Sequence, residues 1–204
     1  GALFMMGAVI TWMAMNYFGI NYWVMLVVAP LIVGVFGVVI ERLLLRWIYK
    51  LDHLYGLLLT LGLTLLVEGV FRSVYGVSGL GYDTPDLLSG GTNLGFMFLP
   101  NYRAWVVVAS ITVCMLTWFV IEKTKLGAYL RAGTENPRLV EAFGVNVPVM
   151  ITLTYAFGAA LAAFAGVLSA PVYQVSPLMG QNLIIVVFAV VVIGGMGSIM
   201  GSIL

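Results

Sequence analysis

Apolar residues occur in long unbroken runs along this chain, and short polar clusters separate the runs. A helix that crosses a bilayer needs about 20 apolar residues. Six runs approach or reach that length, at about 2–18, 22–41, 54–76, 103–121, 148–170 and 182–203. Runs that are apolar throughout predict helices, because strands of a membrane barrel alternate apolar and polar residues. The pattern therefore predicts an all-α, polytopic transmembrane bundle of about six spans, forming a single domain over residues 1–204.

The positions of the basic residues predict how these spans are oriented. Seven of the nine Lys and Arg residues lie in two connections, between the second and third runs and between the fourth and fifth. Basic residues in short loops mark the cytoplasmic side. Six spans place both connections on the same side, so the charges and the span count agree. The loops at about 77–102 and 171–181 then face outward, and Gly19 and Asn21 favour a tight turn between the first two spans.

Composition excludes several classes of protein. The chain is 62% hydrophobic and 8% charged, and its net charge of +1 provides no basic surface for nucleic acid. The single cysteine, Cys114, rules out a disulfide framework. Neither a nucleotide-binding P-loop nor zinc-ligand spacing occurs, and His53 stands alone at the edge of a span. We therefore expect no metal site and no cofactor, and a membrane enzyme is disfavoured.

Two charged residues interrupt the third run. Glu68 and Arg72 are four residues apart, so on a helix they share a face and can neutralise one another. Charges within a span usually mark function, but these two lie within about two turns of the predicted outer surface. A structural pair that reaches toward the interface and a role near the entrance of a transport pathway both remain open.

Small residues recur at every fourth position in the last two spans, a spacing that lets helices approach closely in lipid. The fifth span carries Gly158, Ala162 and Gly166, and the sixth carries Gly197 and Gly201. Two further glycines precede the second set, Gly194 and Gly195. We predict that these positions form helix contacts.

A short capped helix is predicted in the second cytoplasmic connection. Asn136 suits the N-cap, Pro137 the first helical position, and Gly144 the position that ends a helix. The interval between the caps allows two turns.

This short helix is amphipathic. Leu139, Val140 and Phe143 form an apolar face, whereas Arg138 and Glu141 are polar. Such a helix either lies on lipid or inserts into a groove of a partner protein. Two turns with little positive charge favour the protein partner.

Motifs in this connection and in the spans after it resemble those of one family. They are TKLGAYLRA at 124–132, EAFGVN at 141–146, FGAALAAFAGVL at 157–168 and VIGGMGSI at 192–199, with support from GALFMMGA at 1–8, IER at 40–42 and LTLGLT at 59–64. The chain resembles the permease subunits of ABC importers for branched-chain amino acids, and among these the H-type subunit. Met200 departs from the family, which usually has proline at that position.

The resemblance implies a function and a set of partners. It implies import of a branched-chain amino acid through the lipid bilayer of the bacterial inner membrane, with ABC ATPase subunits, a homologous second permease subunit and an extracytoplasmic solute-binding protein. It also implies that N-terminal and C-terminal helices of the full protein lie beyond this chain. The helix that couples transport to the ATPase would comprise Arg131, Asn136, Pro137, Arg138, Leu139, Val140, Glu141, Ala142, Phe143 and Gly144.

The substrate and its contacts are less constrained. Sister permeases for urea and other amides share most of the motifs, and an ion-coupled carrier is a further alternative, although the spans offer only Glu68 as an intramembrane acid. Polar side chains near apolar spans are candidates for the pathway. They are Tyr173, Gln174, Asn182, Thr60, Thr64 and Glu68.

Overall fold

The computed structural model describes residues 1–49, 53–82, 85, 88–93, 98–135, 137–195 and 201. These residues form two compact units. Unit 1 comprises Gly1–Ser89 and Tyr155–Ile185, and unit 2 comprises Gly90–Thr154 and Val186–Leu204.

Unit 1 is built from helices. They are α1 (Ala2–Phe18), α2 (Tyr22–Ile40), a π-helical turn (Glu41–Leu45), α3 (Arg46–Ile48), α4 (His53–Tyr75), most of α8 (Val147–Tyr173) and the start of α9 (Met179–Gly194). The predicted tight turn joins α1 to α2. Gly19 adopts the left-handed conformation there, with φ 59°, and its N–H bonds back to the last turn of α1.

Unit 2 begins with a small antiparallel hairpin, in which β1 (Gly91–Asn93) pairs with β2 (Phe98–Pro100). Three helices follow, α5 (Asn101–Lys123), α6 (Lys125–Glu135) and α7 (Pro137–Ala142). The first residues of α8 and the later residues of α9 complete the unit.

Each of the six predicted spans coincides with a helix, so the prediction of an all-α membrane bundle is confirmed, apart from the hairpin in the predicted outer loop. Within the described residues, four helices are long and apolar enough to cross a membrane: Tyr22–Ile48, Leu54–Tyr75, Asn101–Lys123 and Val147–Tyr173. The apolar helices α1 and α9 are shorter, with 17 and 16 residues.

Two predicted boundaries were wrong. The second span was expected to end at Glu41, but the helix continues through the π-helical turn to Ile48. The Glu41 side chain is turned inward and is only 1% exposed, so its charge does not end the helix. The sixth span was expected to continue to 203, but α9 ends at Gly194, and Gly195 has φ 87°.

The core of unit 1 lies between α1, the end of α8 and the start of α9. Met5, Ala8 and Val9 of α1 are buried together with residues of the other two elements. Those residues are Ala170 of α8 and Met179 of α9, and Val175 of the connection between these two helices is buried with them.

Helices α1 and α8 approach one another closely beside this core. A Cβ atom placed on Gly7 would lie 2.3 Å from the carbonyl oxygen of Ala163, and one on Gly166 would lie 2.0 Å from that of Phe4. Both distances are far shorter than van der Waals contact. This crossing therefore requires glycine at both positions.

The small residues of the fifth span take different positions from those the spacing suggested. Gly166 lies in the crossing, and Ala159 and Ala163 beside it are buried. Ala162 is half-buried, and Gly158 is exposed with nothing within 4 Å of a Cβ built on it. The packed face thus contains Ala159, Ala163 and Gly166, and Gly158 takes no part in it.

The glycines of the sixth span also differ from the expectation. Gly194 is the last residue of α9, and Gly195 follows the helix with nothing within 4 Å of a Cβ built on it, so Gly195 ends the helix and makes no close helix contact. Gly197 lies outside the described residues, whereas Gly201 is described and half-buried.

Candidate transport pathway and coupling segment

A cavity of about 170 Å³ lies within unit 1, between α1, α2, α4 and α8. Its lining is mainly apolar and includes Met6, Phe36 and Ile40. Thr60, Thr64 and Tyr155 contribute the hydroxyl groups. The structure thus brings together two of the predicted pathway residues, Thr60 and Thr64.

The two threonine hydroxyls donate their protons to their own helix. Thr60 Oγ1 donates to the carbonyl oxygen of Gly56 at 3.0 Å, and Thr64 Oγ1 donates to that of Thr60 at 2.9 Å. A hydroxyl oxygen also has lone pairs that accept hydrogen bonds. Toward a ligand, these two side chains can therefore act as acceptors.

Glu68 is buried one helical turn beyond Thr64. Its side chain is 6% exposed, and its Oε2 accepts a hydrogen bond from Gln181 Nε2 at 2.5 Å. Its second oxygen, Oε1, is buried and has no hydrogen-bond partner among the described residues. Among the described residues, the carboxyl group is therefore hydrogen-bonded through one of its two oxygens.

The expected ion pair between Glu68 and Arg72 is not formed. Arg72 is exposed and forms no ion pair with Glu68 within 4.0 Å. Gln181 of α9 occupies the position beside the carboxyl group. Sequence spacing placed the two charges on one helix but could not show which neighbouring helix reaches Glu68.

The other three predicted pathway residues lie around the α8–α9 connection and do not line this cavity. Tyr173 ends α8 and is 70% exposed. Gln174 has a positive φ of 62°, and its Oε1 packs against Gly79. Asn182 is exposed in the first turn of α9.

The segment after α4 packs over this connection and over the end of α1. Leu80 and Val175 exchange two backbone hydrogen bonds, of 2.7 and 3.2 Å. Trp12 Nε1 donates to the carbonyl oxygen of Gly81 at 3.0 Å, and the Tyr82 hydroxyl donates to Met15 Sδ at 3.1 Å. Burial, with a smaller effect from Tyr22, raises the pKa of Tyr82, so its phenol keeps the proton that it donates.

A second buried acid, Glu41, was missed by the sequence analysis. It lies in the π-helical turn, a distortion that often occurs at functional sites. Burial raises the pKa of Tyr49, just beyond α3, and Glu41 and Tyr155 raise it further. The position of Glu41 at the end of an apolar run suggested an exposed boundary, and the sequence carries no signal for its burial.

The predicted short helix is present in unit 2 as α7. Two backbone hydrogen bonds close its C-terminal end. Val145 N donates to Val140 O at 3.4 Å, and Gly144 N donates to Glu141 O at 2.9 Å. Gly144 has φ 81°. This is a Schellman motif with glycine at the position predicted for it. The N-cap residue, Asn136, lies outside the described residues.

The predicted apolar face of α7 divides into two parts. Val140 is 5% exposed and packs inward, whereas Leu139 is 53% and Phe143 is 79% exposed. Glu141 and Ala142 are also exposed. Pro137 and Arg138 belong to the helix by their backbone.

Helix α6 precedes α7 and was not predicted. A Cβ on Gly127 would lie 1.6 Å from the carbonyl oxygen of Ile121, so α6 folds back tightly on the end of α5. Arg131 NH1 bridges to Glu122 Oε2 at 2.9 Å across the same turn. The predicted coupling residue Arg131 therefore connects α6 to a span.

Comparison with known proteins identifies the family. A family model described as "Branched-chain amino acid transport system / permease component" matches residues 1–204. The chain belongs to this family. The resemblance seen in the motifs is confirmed over the whole sequence.

Several permeases are similar to this family member. The high-affinity branched-chain amino acid transport system permease protein LivH of Escherichia coli (strain K12) is 27% identical over an alignment of 218 positions, which covers 99% of this chain and 70% of LivH. BraD of Pseudomonas aeruginosa, a permease protein of the same kind of system, is 30% identical, over 85% of this chain and 58% of BraD. The galactofuranose transporter permease protein YtfT of Escherichia coli (strain K12) is 32% identical, over 70% of this chain and 41% of YtfT. No solved structure matches.

These comparisons agree with the helices in describing a multi-pass membrane permease. The relatives are named as permease proteins of transport systems. Because a sugar permease is among them, membership of the permease family alone does not define the substrate.

Proposed function

We propose that this permease is the membrane-spanning subunit of an ATP-driven importer for branched-chain amino acids in the bacterial inner membrane. It works with separate ABC ATPase subunits, a homologous second permease subunit and an extracytoplasmic solute-binding protein. The observation that carries the proposal is the exposed Phe143 at the end of a capped helix between two spans.

A largely exposed phenylalanine on a fixed helix is typical of a binding surface. Burying such a side chain stabilises a complex by about 1.5–3 kcal/mol. The Schellman motif at Gly144 fixes the end of α7 next to Phe143. Because the helix is formed before binding, docking requires little ordering of the chain.

The energy source must come from a partner under this proposal. The sequence contains no P-loop that could bind ATP. Helices α6 and α7 connect span α5 to span α8 along the chain, so movement of a docked α7 is transmitted to both spans. Alternating access by rocking of the spans is one of the known modes of such transitions.

The cavity in unit 1 supports a substrate with an aliphatic side chain. Its lining is mainly apolar, and a few hydroxyl groups stand beside apolar side chains. Small-molecule sites commonly combine an apolar wall with a small number of polar groups.

Substitution of Phe143 tests the docking surface. In the full-length importer, we expect Phe143→Asp to abolish co-purification of the ATPase subunits and ATP-dependent leucine uptake into proteoliposomes. Phe143→Leu keeps an apolar side chain and serves as the matched control, with both properties retained. Normal co-purification by Phe143→Asp would contradict the assignment of α7, and uptake driven by an ion gradient without ATP would favour an ion-coupled carrier.

A further inference from the structure

Glu68 has the features of an incomplete binding site. Its side chain is more than nine-tenths buried, yet Oε1 has no hydrogen-bond partner among the described residues. Buried polar groups are nearly always hydrogen-bonded, and a buried charge requires a partner. A carboxylate oxygen in this state is suited to a donor that the described residues do not provide.

Gln181 holds the carboxylate in place through a neutral donor. Gln181 donates a neutral amide hydrogen bond to Oε2 and lies in the first turn of α9. The partial positive charge at a helix N-terminus favours a nearby anion. No Lys or Arg side chain of the described residues lies within 4.0 Å of Glu68. The N-terminal ammonium group of Gly1 acts on Glu68 electrostatically, but no donor among the described residues hydrogen-bonds to Oε1.

The cavity borders α4 in the helical turn before Glu68, and Glu68 itself is not among its lining residues. Thr64, one turn before Glu68 on the same helix face, lines the cavity, and so does Val67. A molecule that combines a cationic group with a short aliphatic chain matches both features. An ammonium group carries three donors and pairs strongly with a carboxylate.

The following inference rests on the function proposed above. We propose that Glu68 Oε1 binds the α-ammonium group of the transported amino acid, and that the aliphatic side chain of this amino acid occupies the cavity beside Thr64. Glu68 then selects substrates by charge inside the permease, in addition to any selection by the binding protein. A single carboxylate contact holds the substrate only briefly, as passage through a membrane requires.

Charge and hydrogen bonding at Glu68 can be separated experimentally. In Glu68→Gln, the side chain can still accept the bond from Gln181 but has no charge, whereas Glu68→Asp keeps the charge. In the complete importer in proteoliposomes, we expect Glu68→Gln to lower the maximal rate of leucine uptake at least about tenfold. Binding-protein-stimulated ATP hydrolysis should stay within about twofold of the wild type, and Glu68→Asp should retain most uptake.

Arg72→Gln is the matched control, because it removes a neighbouring charge of α4 that does not pair with Glu68. We expect it to import leucine like the wild type. Wild-type uptake by Glu68→Gln would overturn the role of Glu68, and so would an equal loss in Arg72→Gln. A wild type that imports a neutral sugar and no leucine would overturn the proposed substrate as well, so the two failures are distinguishable.

A second variant covers the case in which Glu68→Gln does not assemble. Cys114→Ala removes the single cysteine, and Glu68→Cys in that background can be labelled with a negatively charged thiol reagent. We expect the negative label to restore leucine uptake and a positively charged reagent of similar size not to restore it. Equal uptake with both labels would overturn the proposal.

Discussion

The crossing of α1 and α8 provides a sensitive test of the packing in unit 1. In Gly166→Ala, the new Cβ would start 2.0 Å from the carbonyl oxygen of Phe4, and separating the atoms to 3.0 Å requires a movement of about 1 Å. The opposing atom belongs to the backbone, so no side chain can rotate away. Overpacking typically destabilises by about 1–3 kcal/mol, and the rigid neighbour places this variant at the upper end, near about 3 kcal/mol.

Gly158→Ala is the matched control in the same helix. Nothing lies within 4 Å of its Cβ position, and alanine favours a helix over glycine by about 0.5–1 kcal/mol. We expect Gly166→Ala to lower the unfolding midpoint of the purified full-length permease by roughly 6–12 °C, using the size scaling for 150–250 residues. Gly158→Ala should leave it unchanged or raise it, as measured by size-exclusion after heating. Equal midpoints for the two variants would refute the close crossing.

Two predictions concern the coupling segment. Gly127→Ala places a Cβ 1.6 Å from the Ile121 carbonyl oxygen. We therefore expect the α5–α6 turn to open and less ATPase to co-purify with this variant. Normal co-purification would show that this turn does not support docking. Arg131→Ala removes an exposed ion pair with Glu122. Because such pairs contribute about 0–1 kcal/mol to stability, the thermal unfolding midpoint should change little. A large drop in the midpoint would show that Arg131 stabilises the fold by another contact.

The spans and the capped helix could be predicted because each depends on local sequence. Long apolar runs determine where helices cross, and Gly19 and Gly144 occupy left-handed positions that few other residues adopt readily. These signals do not depend on the rest of the fold.

The predicted helix boundaries are wrong where a charged residue was expected to lie at the surface. Glu41 was expected to end a span, but tertiary packing buries its side chain and the helix continues. Helix α6 was missed because its charges suggested a loop, although Lys, Leu, Ala and Arg favour helices. Such a segment can form a helix although it is too polar to span a membrane.

The candidate site depends on contacts between residues distant in sequence. Glu68 and Gln181 are on separate helices, and nothing near either residue indicates the other. The sequence could therefore nominate Glu68 as an intramembrane acid but could not show that one of its oxygens lacks a partner.

The link between Leu80 and Val175 consists of two bonds between backbone groups. Every amino acid except proline supplies both of the required groups. The two bonds therefore tolerate any side chain except that of proline, whereas the Val175 side chain is also a member of the buried core of unit 1. The α8–α9 connection is thus held twice, by backbone groups to the segment after α4 and by the Val175 side chain among core residues of α1.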